Sequence, residues 1–185
     1  MPSITPHMIV ATEVAKILNI NSEDLIRGNL LPDIIDIKNS HHKIESDVYM
    51  VPDIDYFLRT LDLTNDLDIG YLTHLLLDKH YLEDYLKKLY PNKNIFLDKK
   101  IYNDYDILNH SLVNNFNLDV EYIEKALMKY NCKIKEEKLK YNINCLKNNI
   151  SGKTYYLNIN SFSKFLKEVS KTISEELIEY ENKSS

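Results

Sequence analysis

The sequence predicts an all-α protein, a single mostly helical domain over residues 1–185. Three observations carry that expectation. Apolar residues recur at helical spacing along most of the chain. Glycine occurs only at positions 28, 70 and 152, and there are five prolines in 185 residues, too few for a turn-rich β fold. The hydrophobic fraction of 44% and charged fraction of 28% are ordinary for a globular chain, and this length buries roughly 70% of the unfolded surface in one core.

The elements follow in order. Thr5 and Pro6 suit an N-cap and first helical position, and the stripe His7, Ala11, Val14, Leu18 predicts a first helix from about His7 to Leu18. Asn21 or Ser22 can cap a second helix, with Glu23 and Asp24 near the positive end of its dipole. That helix is expected to stop before Pro32, because the residue preceding proline is biased away from helical geometry. Asp33 would then stand on a loop. Asp36 to Asp47 is polar and aperiodic, an expected irregular connection carrying His41 and His42. Pro52 to Leu61 reads as a short helix with Ile54, Phe57, Leu58 and Leu61 inward. Leu67 to Tyr90 reads as the central long helix, ended by Pro91.

A Tyr- and Asp-rich segment, Ile101 to Phe116, follows and contains Asp104, Asp106 and His110. Asp119 can cap a helix from Val120 to Lys129. Lys133 to Lys140 reads as a solvated basic face, and Tyr141 to Asn160 is ambiguous. The weak alternation of Thr154 to Ile159 is compatible with a small β-hairpin around Gly152, near the C-terminus. Ser161 opens a last amphipathic helix through Phe162, Phe165, Leu166, Val169, Ile173, Leu177 and Ile178, and the tail from Glu181 should fray. With five phenylalanines and no tryptophan, tyrosine is expected to be the main aromatic filler of the core.

The chemistry-bearing residues are His7, Asp33, His41, His74 and Asp78. His74 and Asp78 are four apart in a strongly apolar run, so on a helix they share a face about one turn apart. A charged Asp there would be costly to bury without a partner, and an imidazole and a carboxylate so placed can hold one cation at ~2 Å. Taken singly, each residue has a plain structural explanation: a buried His–Asp hydrogen bond, a turn aspartate after proline, an exposed loop histidine. Together they are three imidazoles and two carboxylates, a donor set that suits zinc and also accepts iron, manganese or nickel. One ion on Asp33, His41, His74 and Asp78 leaves His7 over, and a second ion sharing Asp78 with His7 accounts for it. Two-metal clamps serve phosphoester hydrolysis. Asp106 and His110, also four apart, could line the same cleft or an exposed helix face. His80 should point away from the site.

Composition narrows the partners. The net charge of −5 argues against a broad nucleic-acid-binding surface, while metal ions could still supply local positive charge to a phosphoester. No charge-free apolar stretch reaches ~18 residues, so no transmembrane segment is expected. Cys132 and Cys145 read as reduced thiols, and with no visible signal peptide the expected location is cytoplasmic.

At these residues the chain resembles the zinc-dependent phospholipase C family, whose helical fold is shared with the single-strand-specific zinc nucleases. The matching pieces are His7-Met8-Ile9-Val10-Ala11, Gly28-Asn29-Leu30-Leu31-Pro32-Asp33, Ser40-His41-His42 and Gly70-Tyr71-Leu72-Thr73-His74-Leu75-Leu76-Leu77-Asp78, and the likeness spans residues 5 to 86. It implies a helix histidine, a loop aspartate, a loop histidine and a helix His-x3-Asp as metal ligands, with His41 the ligand and His42 in the place of an aromatic. The secreted lecithinases add a processed N-terminal tryptophan, and a third zinc held by further histidines and a glutamate. Here tryptophan is absent and only His80 and His110 lie downstream of His74, so the resemblance implies one or two ions. Three functions are compatible with the sequence. The first is a metal-dependent hydrolase of small phosphoesters or phospholipid head groups, with metal-activated water as nucleophile and Asp33 orienting or deprotonating it. The second is a non-enzymatic helical protein with a structural or degenerate metal site. The third is an HD-type metallophosphohydrolase, disfavoured because no His is followed directly by Asp.

Overall fold

Every residue from Ile4 to Ala11 is buried, so the first helix, α1 (Ile4–Leu18), is surrounded rather than amphipathic. It starts one turn before the expected His7, with Ser3 at its N-cap, and Asn19 closes it in the left-handed conformation (φ 53°). These are features of a computed structural model that describes residues 3–35, 38–46, 48–129 and 136–184 and is mostly helical. Cys132 and Lys133 lie outside the described residues. The second central helix, α4 (Asp66–His80), is likewise buried at every residue from Gly70 to Asp78. The first half of α1 and the middle of α4, buried on all sides, form the centre of the core. The rest of the chain wraps them.

The second helix, α2 (Ser22–Ile34), lies closest to α4. Asn21 caps it by accepting from the Glu23 N–H, with Glu23 and Asp24 in the first turn as expected. Glycine sets the approach of the two helices: a Cβ on Gly28 would strike the Leu67 carbonyl oxygen, and one on Gly70 would strike the Leu25 carbonyl oxygen. Contrary to the expected stop, α2 runs through Pro32 to Ile34, and the Ile35 N–H still donates to the Leu31 carbonyl at 3.0 Å. Pro32 falls in the last turn, where it forfeits one backbone hydrogen bond. Leu30, Pro32 and Ile34, all buried, hold that turn in place. Asp33 is therefore a helical residue.

The connection after α2 is not wholly irregular. β1 (Lys43–Glu45) pairs antiparallel with β2 (Met50–Pro52), with Ile44 opposite Val51. Among the described residues this is the only sheet. The hairpin expected around Gly152 is absent. There the backbone N–H groups of Tyr155, Tyr156 and Leu157 donate to the buried Asp104 carboxylate at 2.9, 2.6 and 2.9 Å, which occupies the donors a strand ladder would use.

α3 (Ile54–Leu58), capped by Asp53, leads into α4. The central helix changes pitch at Tyr81–Leu86, a π-helical turn, and ends as α5 (Lys87–Leu89) before Pro91. The segment around Asp104 is helix α6 (Lys100–Asn115), and α7 (Val120–Met128) is capped by Asp119 accepting from the Tyr122 N–H at 2.9 Å. The basic stretch continues as α8 (Glu136–Lys147), whose C-terminal carbonyls at Cys145, Leu146 and Asn148 accept from the Asn109 amide. α9 (Ile159–Ser184) extends the last helix to Ser184, without the expected fraying, and packs along α1. Tyrosine fills the core as anticipated. Tyr81 is wholly buried, its hydroxyl 2.7 Å from that of Tyr105, and its ring lies against Phe162 and Phe165 of α9.

Candidate metal centre

α1, α2 and α4 bring their functional side chains to one level of the core. His7 of α1 and His74 of α4 stack face to face, with centroids 3.9 Å apart and planes 9° apart. Asp78, one turn along α4, presents one oxygen to each: Oδ1 is 3.5 Å from His7 Nε2 and Oδ2 is 3.4 Å from His74 Nε2. His41, just before β1, sets its Nε2 3.1 Å from His74 Nε2, 3.5 Å from Asp33 Oδ1 and 3.8 Å from Asp78 Oδ2. All five expected residues converge. They form two overlapping sets, an inner one of His7, His74 and Asp78 and an outer one of Asp33, His41 and His74.

The separations themselves are informative. Ligand atoms held at ~2.0–2.1 Å around a tetrahedral ion lie roughly 3.4 Å from one another, and most of the distances above fall around that value. Both oxygens of Asp78 and both ring nitrogens of His7 are buried without a hydrogen bond. Buried polar atoms are normally paired, and leaving one unpaired costs ~1–3 kcal/mol. A divalent cation would satisfy the Asp78 oxygens and His7 Nε2, the nitrogen that faces them, so the residues present fit zinc.

The surroundings prepare the ligands. His74 Nδ1 lies 2.7 Å from the Asn29 carbonyl oxygen and so donates to it, which fixes the tautomer and turns Nε2 toward the cluster. The Asn29 side chain, wholly buried, donates from its amide nitrogen to the His7 carbonyl and accepts the His74 backbone N–H, both at 3.2 Å. One asparagine thus joins three helices beside the candidate ligands. His41 Nδ1 is 3.1 Å from Ser40 Oγ, and the Tyr71 hydroxyl donates to the Ser40 carbonyl at 2.5 Å, which orients this loop ligand.

Electrostatics agree with the geometry at His7, Asp33 and Asp78. Burial, aided by His74, lowers the His7 pKa against the pull of Asp78 and Asp33, so His7 is a neutral ligand-ready imidazole. Burial opposes protonation of His74, but the carboxylates of Asp78 and Asp33 prevail and raise it. For Asp33 the penalty of burial is outweighed by His74, His41 and His7, which bring its carboxyl down to about 2. Asp78 is held well below the usual carboxylate range, again against burial, chiefly by His74 and His7. Both acids are ionised.

Asp33 also lines a cavity of about 230 Å³ that opens beside the cluster. Its other walls include Ile4 of α1, Tyr102, Tyr105 and Asp106 of α6, and Tyr141, Asn142 and Cys145 of α8. Asp106 faces this cavity, whereas His110 is exposed and within 3.0 Å of the Asn114 amide. His42 stacks on Tyr56 outside the cluster, and His80 points away to Asp84 and Glu176. Sequence reasoning missed Asn29, whose partners His7 and His74 lie on other helices. It also missed Lys138, whose ammonium donates to the Asp33 carbonyl at 3.1 Å. No protein-family model, curated protein or solved structure matches this chain.

Proposed function

We propose that the protein is a metal-dependent hydrolase of phosphoesters, phospholipase C-like in its ligand set, with His7, Asp33, His41, His74 and Asp78 as zinc ligands. One observation carries the reading: five side chains from four separate segments bring nitrogen and oxygen atoms into two overlapping sets, with those of His7 and Asp78 lacking hydrogen bonds, and one of the five, Asp33, lines a cavity. A bound divalent ion would lower the pKa of water toward neutrality and offset charge developing on phosphorus.

The chain's own groups then divide the work. His7, His74 and Asp78 are rigid and dry, which suits tight retention of the ion. Asp33 and His41, 33% and 17% exposed, sit at the boundary with solvent, where water and substrate arrive. With its carboxyl at about 2, Asp33 stays ionised and accepts a hydrogen bond from the attacking water. So acidic a group is a poor proton acceptor, so orientation is its stronger role. Asn29 and Ser40 keep His74 and His41 in the ring orientation that presents Nε2. A neutral or cationic leaving group fits the adjoining cavity better than a second anion, because its described lining residues include the carboxylates of Asp33 and Asp106 and no Lys or Arg.

The complete burial of the inner set favours one second reading, a metal that serves structure alone. Elemental analysis of protein purified without chelator, with zinc-stimulated turnover of bis-p-nitrophenyl phosphate, separates the two. The hydrolase reading expects one or two metal equivalents and activity abolished by His74→Ala. Metal without turnover leaves the structural reading standing. Metal below about 0.3 equivalents after zinc addition defeats both, given donor sets of this affinity.

A further inference from the structure

The cavity beside Asp33 holds a carboxylate that no contact explains. Asp106 of α6 is partly buried, lines the cavity, and forms no hydrogen bond or ion pair with any described residue. Other acids of the molecule are better provided for: Asp104, two residues earlier, grips three backbone N–H groups, and Asp98 accepts from the Tyr156 hydroxyl at 2.7 Å. Carboxylates at such an inner wall normally meet a cation or water.

Its position is the second observation. The cavity is bounded by Asp33, an outer-set ligand, and by Tyr105, whose hydroxyl meets that of Tyr81 three residues beyond Asp78 on the central helix. A phosphoester with its phosphorus at the cluster would reach into this space with the group it is about to lose. Tyr102, Tyr141 and Asn142 contribute to its walls.

Resting on the hydrolase reading, we infer that this cavity seats a small, uncharged or cationic alcohol leaving group and that Asp106 protonates its departing oxygen. The step balances. Water oxygen bonds to phosphorus and the phosphorus–alcohol oxygen bond breaks. The Asp106 carboxyl proton passes to the alkoxide, and the attacking water gives a proton to solvent. Asp106 is then reprotonated from solvent, for a net consumption of one water.

Burial raises the Asp106 carboxyl above its ordinary value, the direction an acid needs. The titratable groups around it are Tyr102 and Tyr105 on its own helix, Asp33 from α2, and Tyr141 and Cys145 from α8. α1 contributes Ser3 and Ile4, which do not titrate near neutrality.

The test uses zinc-loaded protein, wild type and Asp106→Asn, on bis-p-nitrophenyl phosphate and dibenzyl phosphate. A p-nitrophenolate leaves without a proton, whereas benzyl alkoxide needs one. The expected result is a loss of roughly 100-fold or more in kcat on the dibenzyl ester, the scale of general acid catalysis, with p-nitrophenyl turnover kept within about 3-fold. The basic limb of the dibenzyl pH profile should vanish in the variant, and its metal content should be unchanged. In metal-free protein, benzyl alcohol should shift the ring NMR signals of Tyr102 and Tyr141. Equal loss on both esters, or no loss on either, overturns the assignment to Asp106 and leaves the hydrolase reading intact. No zinc-dependent turnover of either ester by wild type overturns both.

Discussion

The central helical run carries two histidine–aspartate pairs with identical spacing, His74 with Asp78 and His80 with Asp84, and they are put to opposite uses. In the second pair, His80 Nδ1 is 2.5 Å from Asp84 and its Nε2 is 3.1 Å from Glu176, so both ring nitrogens are consumed by direct bonds at a partly exposed site. In the first pair the closest approach is 3.4 Å, both side chains are fully buried, and the Asp78 oxygens have no hydrogen bond. A spacing of four residues is therefore neutral between a clamp and a ligand set. What separates the two is how the other ring nitrogen is used. His74 gives Nδ1 to the Asn29 carbonyl, which commits Nε2 to the cluster, while His80 turns its second nitrogen to α9.

The largest expected effect comes from removing the shared ligand. His74→Ala should abolish zinc binding and metal-dependent turnover, whereas His80→Ala should keep both. Zinc at 100 times its Kd should stabilise wild type and His80→Ala by ~2.7 kcal/mol in thermal unfolding and leave His74→Ala unmoved. A His74→Ala protein that still gains stability on zinc addition would remove the distinction between the pairs.

Next comes the helix contact that places Asn29. Gly70→Ala puts a methyl group into the Leu25 carbonyl oxygen and to 2.9 Å from the Asn29 backbone nitrogen. It should cost roughly 3 kcal/mol in denaturant unfolding and also weaken zinc affinity, because the Asn29 carbonyl withdraws from His74. A stability loss with unchanged affinity would show that close helix approach is not what tunes the ligand.

The second pair is sharpened by pH. Burial works against a charged His80, but Glu176 and Asp84 overcome it and raise its pKa above 6.5. A raised histidine contributes stability that is complete below the unfolded value and is lost as pH rises through the folded one. His80→Ala should therefore cost about 1 kcal/mol at pH 6, and the gap to wild type should close by pH 9, read as unfolding midpoints across that range. The smallest effect belongs to Lys138→Ala. Among the described residues its exposed ammonium meets only the Asp33 backbone carbonyl, so stability should move by no more than about 0.5 kcal/mol and metal content should not change.

Much of this was legible along the chain. The helices from Asn21 and Asp119 begin where side-chain caps could be read, because capping is a local hydrogen bond between near neighbours. His74 and Asp78 stood out because buried ionisable groups in an apolar run need a reason. Where sequence failed, the deciding partner was distant. Pro32 suggested a helix end, yet packing of Leu30 and Ile34 carried α2 past it, and Asp104 captured a segment some fifty residues away that otherwise resembled a strand. Asn29 acts through α1 and α4 at once, and nothing local to it announces that.

The unequal exposure of the two ligand sets has a kinetic consequence. His7, His74 and Asp78 are 1%, 0% and 0% exposed, while Asp33 and His41 are 33% and 17% exposed, and His74 Nε2 belongs to both sets. One imidazole nitrogen carries one lone pair, and His74 Nδ1 is already engaged by Asn29, so His74 Nε2 would hold an ion in one set at a time. An ion would thus load at the exposed set and settle in the buried one. Chelation should then release it in a single phase, slower than release from an exposed site.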